Sequence, residues 1–236
     1  MKHLILSLVA TVALLVTSPV QAKDKFVVDN VQEPSSLDPH RQWNPDSYTV
    51  YRNIYDNLVT RDISGVIVPQ VAAAWTAISD TEVDFTLRND ITFHDGTALT
   101  AADVVFSVKR ITDPKFKSPQ LGQFSKITGA EATGPQSVRL TTNGPYPVLM
   151  AQLVKLSIVS KAYTESVGNE TLNLTPMGSG PYKFVEWRKG VKVVLERNDN
   201  YWRGTPPFAT VEFAAVPDAA TRLADLRTGK ADLIVG

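Results

Sequence analysis

The sequence has no cysteine and only three histidines, His3, His40 and His94. Without cysteine there is no disulfide framework, no thiol nucleophile and no lipid-modified cysteine anchor to expect. With so few histidines, a three-histidine or two-histidine-one-carboxylate metal site is starved of ligands. A G-x-S-x-G elbow, a Walker A loop and a G-x-G-x-x-G following a strand are missing too. Gly178-Ser-Gly180 is a G-x-G, but Pro181 removes an amide donor where a phosphate cradle needs one. Neither sign of charge prevails, with 24 basic and 24 acidic residues and no long run of either. That removes nucleic acid and an anionic membrane from the expected partners. An enzyme is disfavoured by these absences, and no cofactor is implied.

Long apolar runs are confined to the start, MKHLILSLVATVALLVTSPVQA. Lys2 precedes an apolar run from Leu4 to Val16, Ser18-Pro19 breaks it, and Val20-Gln21-Ala22 ends on small residues. The run is shorter than the roughly 20 residues that span a bilayer. The pattern predicts a cleaved secretory signal peptide over 1–22 and an exported, soluble product.

Periodicity places the elements that follow. Lys25 to Asp29 reads as a strand and Glu33 to Pro39 as a proline-punctuated loop. From Ser47, the apolar residues Val50, Tyr51, Ile54, Tyr55 and Leu58 recur at helical spacing, which predicts a helix reaching Leu58. Between Val83 and Phe93 the large apolar residues sit at odd positions, predicting a strand pair with a bend at Arg88-Asn-Asp90. Further strands are predicted at Val66 to Val68, Lys126 to Glu131 and Ser137 to Thr142, with a helix over Tyr146 to Leu156. Tyr182 to Asn198 reads as a hairpin around Arg188-Lys-Gly190. Thr210 to Val216 alternates as a strand, Asp218 caps a helix carrying Leu223 and Leu226 that Gly229 terminates, and Asp232 to Val235 is a second, buried strand, together a βαβ unit.

The stretch FHDGTALTAADVVFSVKRI, Phe93 to Ile111, sets a histidine beside an aspartate. Asp-Gly is a turn dipeptide first, and no nucleophile or metal ligand set accompanies the pair. Thr100 with Asp103 makes a capping box with a short acid, and Val104, Val108 and Ile111 form the buried stripe of the helix that follows. Of the four tryptophans, Trp75 and Trp187 read as core or edge packing. Trp43 lies in a polar loop, Arg41-Gln-Trp-Asn44, with no amphipathic pattern to bury it. It either packs over a neighbouring helix or stacks on a ligand.

Several separated stretches resemble one family. Glu33-Pro-Ser-Ser-Leu-Asp-Pro-His40 is similar to an E-P-x-x-L-D-P-H loop, and Ala74-Trp75, Phe85-Thr-Leu-Arg88 and Ile91-Thr-Phe-His-Asp-Gly-Thr97 to an A-x-x-W … F-x-L-R-x-x-x-x-F-H-D-G-T signature. Leu99 to Ser107 continues it, with Ala102 where glutamate is common, and Gly178-Ser-Gly-Pro-Tyr-Lys-Phe184 and Asn198-Asp-Asn-Tyr-Trp202 complete the set. The chain thus resembles the extracytoplasmic solute-binding proteins, family 5, of peptide, dipeptide and nickel ABC importers. The resemblance implies an α/β fold: a lobe like that of the type II periplasmic binding proteins, from 23–60 and 176–236, with an inserted α+β subdomain over 61–175. The second lobe lies beyond this stretch, so the part in hand is expected to bind weakly.

By resemblance the protein is a periplasmic monomer without catalytic activity that hands a small molecule or peptide to ABC permease subunits in the inner membrane. Peptide is the preferred solute; nickel chelate, opine, sugar or haem stay open, as do a periplasmic sensor or a secreted enzyme on the same scaffold. The ligand-lining residues implied are Gln42, Trp43, Asn44 and Ser47 after the D-P-H motif, with Gln123, Phe124, Lys155 and Ser157 from the inserted part.

Overall fold

A computed structural model describes residues 23–236, so the signal-peptide expectation falls outside the described residues. Strand β1 (Lys25–Asn30) is followed, after a long loop, by helix α1 (Pro45–Tyr51) and two short strands, β2 (Val59–Arg61) and β3 (Ile67–Pro69). Next come β4 (Ala72–Ala77), β5 (Glu82–Leu87), α2 (Ala101–Thr112), α3 (Leu121–Phe124), β6 (Ile127–Gly134) and β7 (Ser137–Thr142). Helices α4 (Leu149–Leu153) and α5 (Lys161–Leu174) lead to β8 (Tyr182–Arg188), β9 (Lys192–Arg197), β10 (Thr210–Ala215), α6 (Ala219–Thr228) and β11 (Leu233–Ile234). No helix among the described residues is long and apolar enough to cross a membrane.

Two main sheets organise the chain. The five-stranded one runs β11-β1-β10-β9-β8, with β1 parallel to both neighbours and the β8–β9 hairpin added antiparallel. Strand β1 is interior, which suits its run Val27-Val28-Asp29-Asn30, buried throughout. The strand–helix–strand unit at the end is built as its punctuation predicts: Asp218 Oδ1 accepts the Thr221 amide at 2.7 Å, and Gly229 closes α6 at φ 74°. Leu223 and Leu226, however, are exposed rather than packed. The four-stranded sheet, β4-β5-β7-β6, is antiparallel throughout, and α2 packs against it. Each sheet has its own apolar core, one around Tyr51, Tyr55, Leu195 and Phe213 and the other around Phe85, Val104, Leu140 and Leu153. Trp187 packs against the first and Trp75 against the second, as expected of them.

Four expectations need correction. The helix from Ser47 ends at Tyr51; Ile54, Tyr55 and Leu58 are buried, but in a turn and an extended segment where the helical ladder stops after the Tyr55 amide bonds the Tyr51 carbonyl. Val83 to Phe93 is a single strand, β5, whose partners are β4 and β7, while Ile91 and Phe93 enter the core from the loop beyond it. The helix over Tyr146 to Leu156 shrinks to α4, since Pro145 and Pro147 hold the preceding segment open. The last strand, expected to be buried, shortens to β11 and lies partly open, with Leu233 exposed. Strand β4 and helix α5 were not foreseen: Ala72-Ala-Ala74 carries no strand alternation, and α5 is mostly polar and broken at Gly168, φ 76°.

The Phe93–Ile111 stretch is a turn and a capped helix. Gly96 takes φ 87°, and the Asp103 carboxylate accepts the Thr100 amide and hydroxyl, both at 2.9 Å. Its other oxygen accepts the Lys161 amide at 2.9 Å, so the short acid also seats the start of α5. His94 is a strut. Its amide donates to the Gly178 carbonyl at 2.8 Å, Nε2 donates to the Gly180 carbonyl at 3.0 Å, and Nδ1 accepts the Gly178 amide at 3.4 Å. The glycine segment it holds lies directly on the backbone at Asn53 and Ile54, where Gly180 and Tyr182 donate to the Ile54 and Asn53 carbonyls. Nearby, the buried Asp56 carboxylate accepts from Gln70, Ser179, Tyr201 and Trp202 at 2.7 to 3.0 Å, which binds the Asn198–Trp202 turn to the same place. Burial pushes the Asp56 carboxyl up, and the four donors oppose that rise.

Burial holds the His94 pKa down at about 4, and His40 likewise at about 4. Between the free imidazole value and 4, the unfolded chain binds protons that the folded chain refuses. Their contribution to stability is therefore complete above about pH 6.5 and falls as the pH drops toward 4. We expect His94→Gln, whose amide can still donate to Gly180, to flatten the decline in melting temperature between pH 6.5 and 4 relative to the parent. Parallel thermal melts check this, and identical slopes would refute it.

Candidate ligand-binding site

The site begins with a loop that is bolted down. Glu33 accepts the Trp187 indole and the Gly190 amide, each at 2.9 Å, and the Gly190 bond holds its carboxyl below the usual range despite some burial. Asp38 takes a two-pronged ion pair from Arg110, at 2.9 and 2.5 Å, with neither side chain appreciably exposed. His40 donates from Nε2 to the Ser157 carbonyl at 2.9 Å and accepts from Arg110 at Nδ1, 3.1 Å, so the imidazole is neutral and serves as a spacer. Ser118 and Gln120 donate to the His40 and Pro39 carbonyls at 2.7 and 2.6 Å. Every polar group of the Leu-Asp-Pro-His segment that matters for position is spent inside the protein.

The chain then emerges at Arg41-Gln42-Trp43-Asn44. Asn44 caps α1, its Oδ1 accepting the Ser47 amide at 2.7 Å, and Pro45 supplies the first turn. Trp43 is left 36% exposed, tilted against Tyr48 with ring centroids 5.3 Å apart, and Tyr48 meets Tyr51 edge-on at 5.5 Å. This aromatic wall faces Arg61 from β2 and Val154-Lys155 just after α4. The half-open cavity between them is about 370 Å³ and is lined by Trp43, Asn44, Pro45, Tyr48, Arg61, Val154 and Lys155, mostly apolar surface with two cationic groups. Its size suits a small ligand.

Of the residues expected at a ligand, Trp43, Asn44 and Lys155 meet here. Gln123 stands one bond behind, its Oε1 accepting Lys155 Nζ at 2.8 Å. Gln42 is tied to its own loop and does not line the cavity, donating to the exposed Ser35 hydroxyl at 2.5 Å and accepting the Trp43 amide at 2.7 Å. Ser47, Phe124 and Ser157 are buried and belong to the scaffold: Ser47 Oγ accepts the Ser35 amide at 3.1 Å, Phe124 is core, and Ser157 donates to Asn57 at 2.8 Å. Pro45, Tyr48, Arg61 and Val154 were missed. Tyr48 had a signal, because it lies off the Val50–Tyr51 stripe one turn from Asn44; Arg61 and Val154 arrive only through tertiary folding.

A profile of the bacterial extracellular solute-binding proteins, family 5, matches residues 66–236. The chain belongs to that family. Among curated relatives, it is 30% identical to the glutathione-binding protein GsiB of Pectobacterium atrosepticum, over 93% of this chain and 43% of GsiB. It is 29% identical to the periplasmic oligopeptide-binding protein OppA of Salmonella typhimurium, over 95% of this chain and 46% of OppA. Among solved structures, the binding protein MoaA of A. tumefacien R10 in complex with mannopinic acid superposes with a TM-score of 0.85 at 28% identity, covering 91% of this chain and 45% of MoaA. The family member in hand thus spans less than half the length of these relatives.

Proposed function

We propose that the protein acts as the solute-binding component of an ABC importer, working in the periplasm as a monomer and taking a peptide. Residues 23–60 and 176–236 would form the core of its first lobe and 61–175 an inserted subdomain. The two separate sheets and their two cores support that division. The observation that carries the functional reading is the aromatic-walled cavity at the exit of the Leu-Asp-Pro-His segment, assembled from a rigid loop on one side and the inserted part on the other. Glutathione and oligopeptides, named for GsiB and OppA, are both peptides, which supports the solute class. A small organic acid is the second reading, favoured by the mannopinic acid bound to MoaA. Catalysis has no support at this site, where no nucleophile stands beside a base.

The cavity formed by residues 23–236 is open on one side and leaves its ligand partly in water, so affinity near millimolar is the expectation for this stretch. Indole ¹H–¹⁵N spectra of the chain, titrated with a mixture of di- to pentapeptides, should shift the Trp43 resonance while Trp75 and Trp187 stay in place. Trp43→Ala identifies the signal. A Trp43 resonance that no peptide or organic acid moves would end the solute-binding reading of this cavity.

A further inference from the structure

The charged groups around the cavity lack counter-ions. Arg61 and Lys155 line it, and Arg52 stacks on the far side of Tyr48 with its guanidinium 5.2 Å from the ring centroid. In a chain balanced between 24 basic and 24 acidic residues, none of these three takes part in any ion pair among the described residues. No acidic side chain lines the cavity. The acid nearest Arg61 in sequence, Asp62, is committed to its own turn, its Oδ1 accepting the Ser64 and Val66 amides at 2.9 Å.

Both lining cations are positioned with donors to spare. Lys155 Nζ sits 5.1 Å from the Trp43 ring centroid and gives two of its three N–H groups to Gln123 and Gln152, at 2.8 and 3.4 Å. Arg61 gives one N–H to the Gly65 carbonyl at 2.6 Å, leaving the rest of its five-donor fork. Neutral oxygens orient these groups and leave their charge uncompensated. Beside them, Trp43, Tyr48 and Val154 present flat apolar surface.

We propose, on the reading of this cavity as the solute site, that it selects a ligand carrying a carboxylate next to an aromatic or branched apolar group. The carboxylate is met by Lys155 and Arg61, and the apolar group lies against the Trp43–Tyr48 wall. A charge-assisted bond is roughly twice as strong as a neutral one, and the apolar lining thins the water that would screen it. A C-terminal dipeptide unit such as Ala-Phe has this chemistry.

The test uses the full chain at low salt, reading the Trp43 indole resonance with three probes: Ala-Phe, its C-terminal amide, and inorganic phosphate. Ala-Phe should bind about tenfold more tightly than the amide. Lys155→Met and Arg61→Met should each remove most of that preference, read as the ratio of the acid and amide affinities within each variant, and Lys155→Arg should keep it. Two independent variants guard against either one disturbing its surroundings. Equal affinity for acid and amide, or a preference that survives both methionine variants, overturns the charge selection while the solute site stands. Phosphate binding as tightly as Ala-Phe overturns the aromatic part. A Trp43 signal that none of the probes moves overturns this inference and the solute site together.

Discussion

Replacing Arg110 with methionine should destabilise the protein by about 3 to 5 kcal/mol, because it strands a buried carboxylate. Asp38 is inaccessible, and beyond Arg110 only the His40 amide, at 3.0 Å, reaches its side chain among the described residues. The same guanidinium donates to His40 Nδ1 and to Asn169 at 2.8 Å and lies 4.1 Å over the Phe116 ring, so one side chain holds the Leu-Asp-Pro-His loop, α2, the Phe116 turn and α5. For a chain of this size the melting temperature should fall by on the order of 10 °C. Removing the stranded charge as well tests the cause: Arg110→Met with Asp38→Asn should cost less than the sum of the single changes. Strict additivity in urea denaturation would show that the pair is not coupled. Methionine retains the stem's volume, so the loss is electrostatic rather than a cavity.

Gly178→Ala should be at least as damaging, for a different reason. A Cβ there would run into the Ile54 carbonyl oxygen and also come within 2.8 Å of the Tyr55 ring. The obstacle is backbone, which has no alternative rotamer, so the two chain segments must part and lose the bonds between them. Overpacking of this kind costs about 3 kcal/mol or prevents folding. Gly180 is crowded too, though less severely, its Cβ position 2.7 Å from the Asn53 carbonyl oxygen. Gly122 is the control, with open space around it in α3 and no positive φ; alanine there should be neutral or slightly stabilising. Circular dichroism melts of the three alanine variants check the ranking. A Gly178→Ala protein as stable as the Gly122→Ala protein would refute it.

These two sites also show why parts of the fold were readable and others not. Asp218, Gly229 and the Thr100–Asp103 box act within a few residues, and local chemistry announces local structure. The His94-Asp95 pair was readable as a turn for the same reason, although nothing local says that His94 reaches Gly180. Ile54 and Tyr55 misled because burial, not helicity, sets their spacing: they lie under the glycine segment. Helix α5 was silent because it is fastened by polar contacts, Asp103 to Lys161 and Arg110 to Asn169, rather than by an apolar stripe. At the cavity, Trp43 stood out as an aromatic residue with no pattern to bury it. Ser47 and Ser157 lie on segments that reach the cavity but point away from it, and Phe124 is core in α3, which supplies no lining residue, distinctions that chain position cannot make.

The parallel pairing of β1 imposes an order of events. Residues 25–30 lie between β10 at 210–215 and β11 at 233–234, so β1 must wait for strands that follow the whole of the four-stranded sheet. The four-stranded sheet closes entirely within residues 72–142 and has no such delay. Closing the longer loop carries the larger entropic cost and comes slowly. A chain emerging amino end first would therefore hold a formed four-stranded sheet while the Leu-Asp-Pro-His loop and the aromatic wall it positions stay unmade. The candidate cavity would be assembled only after that sheet.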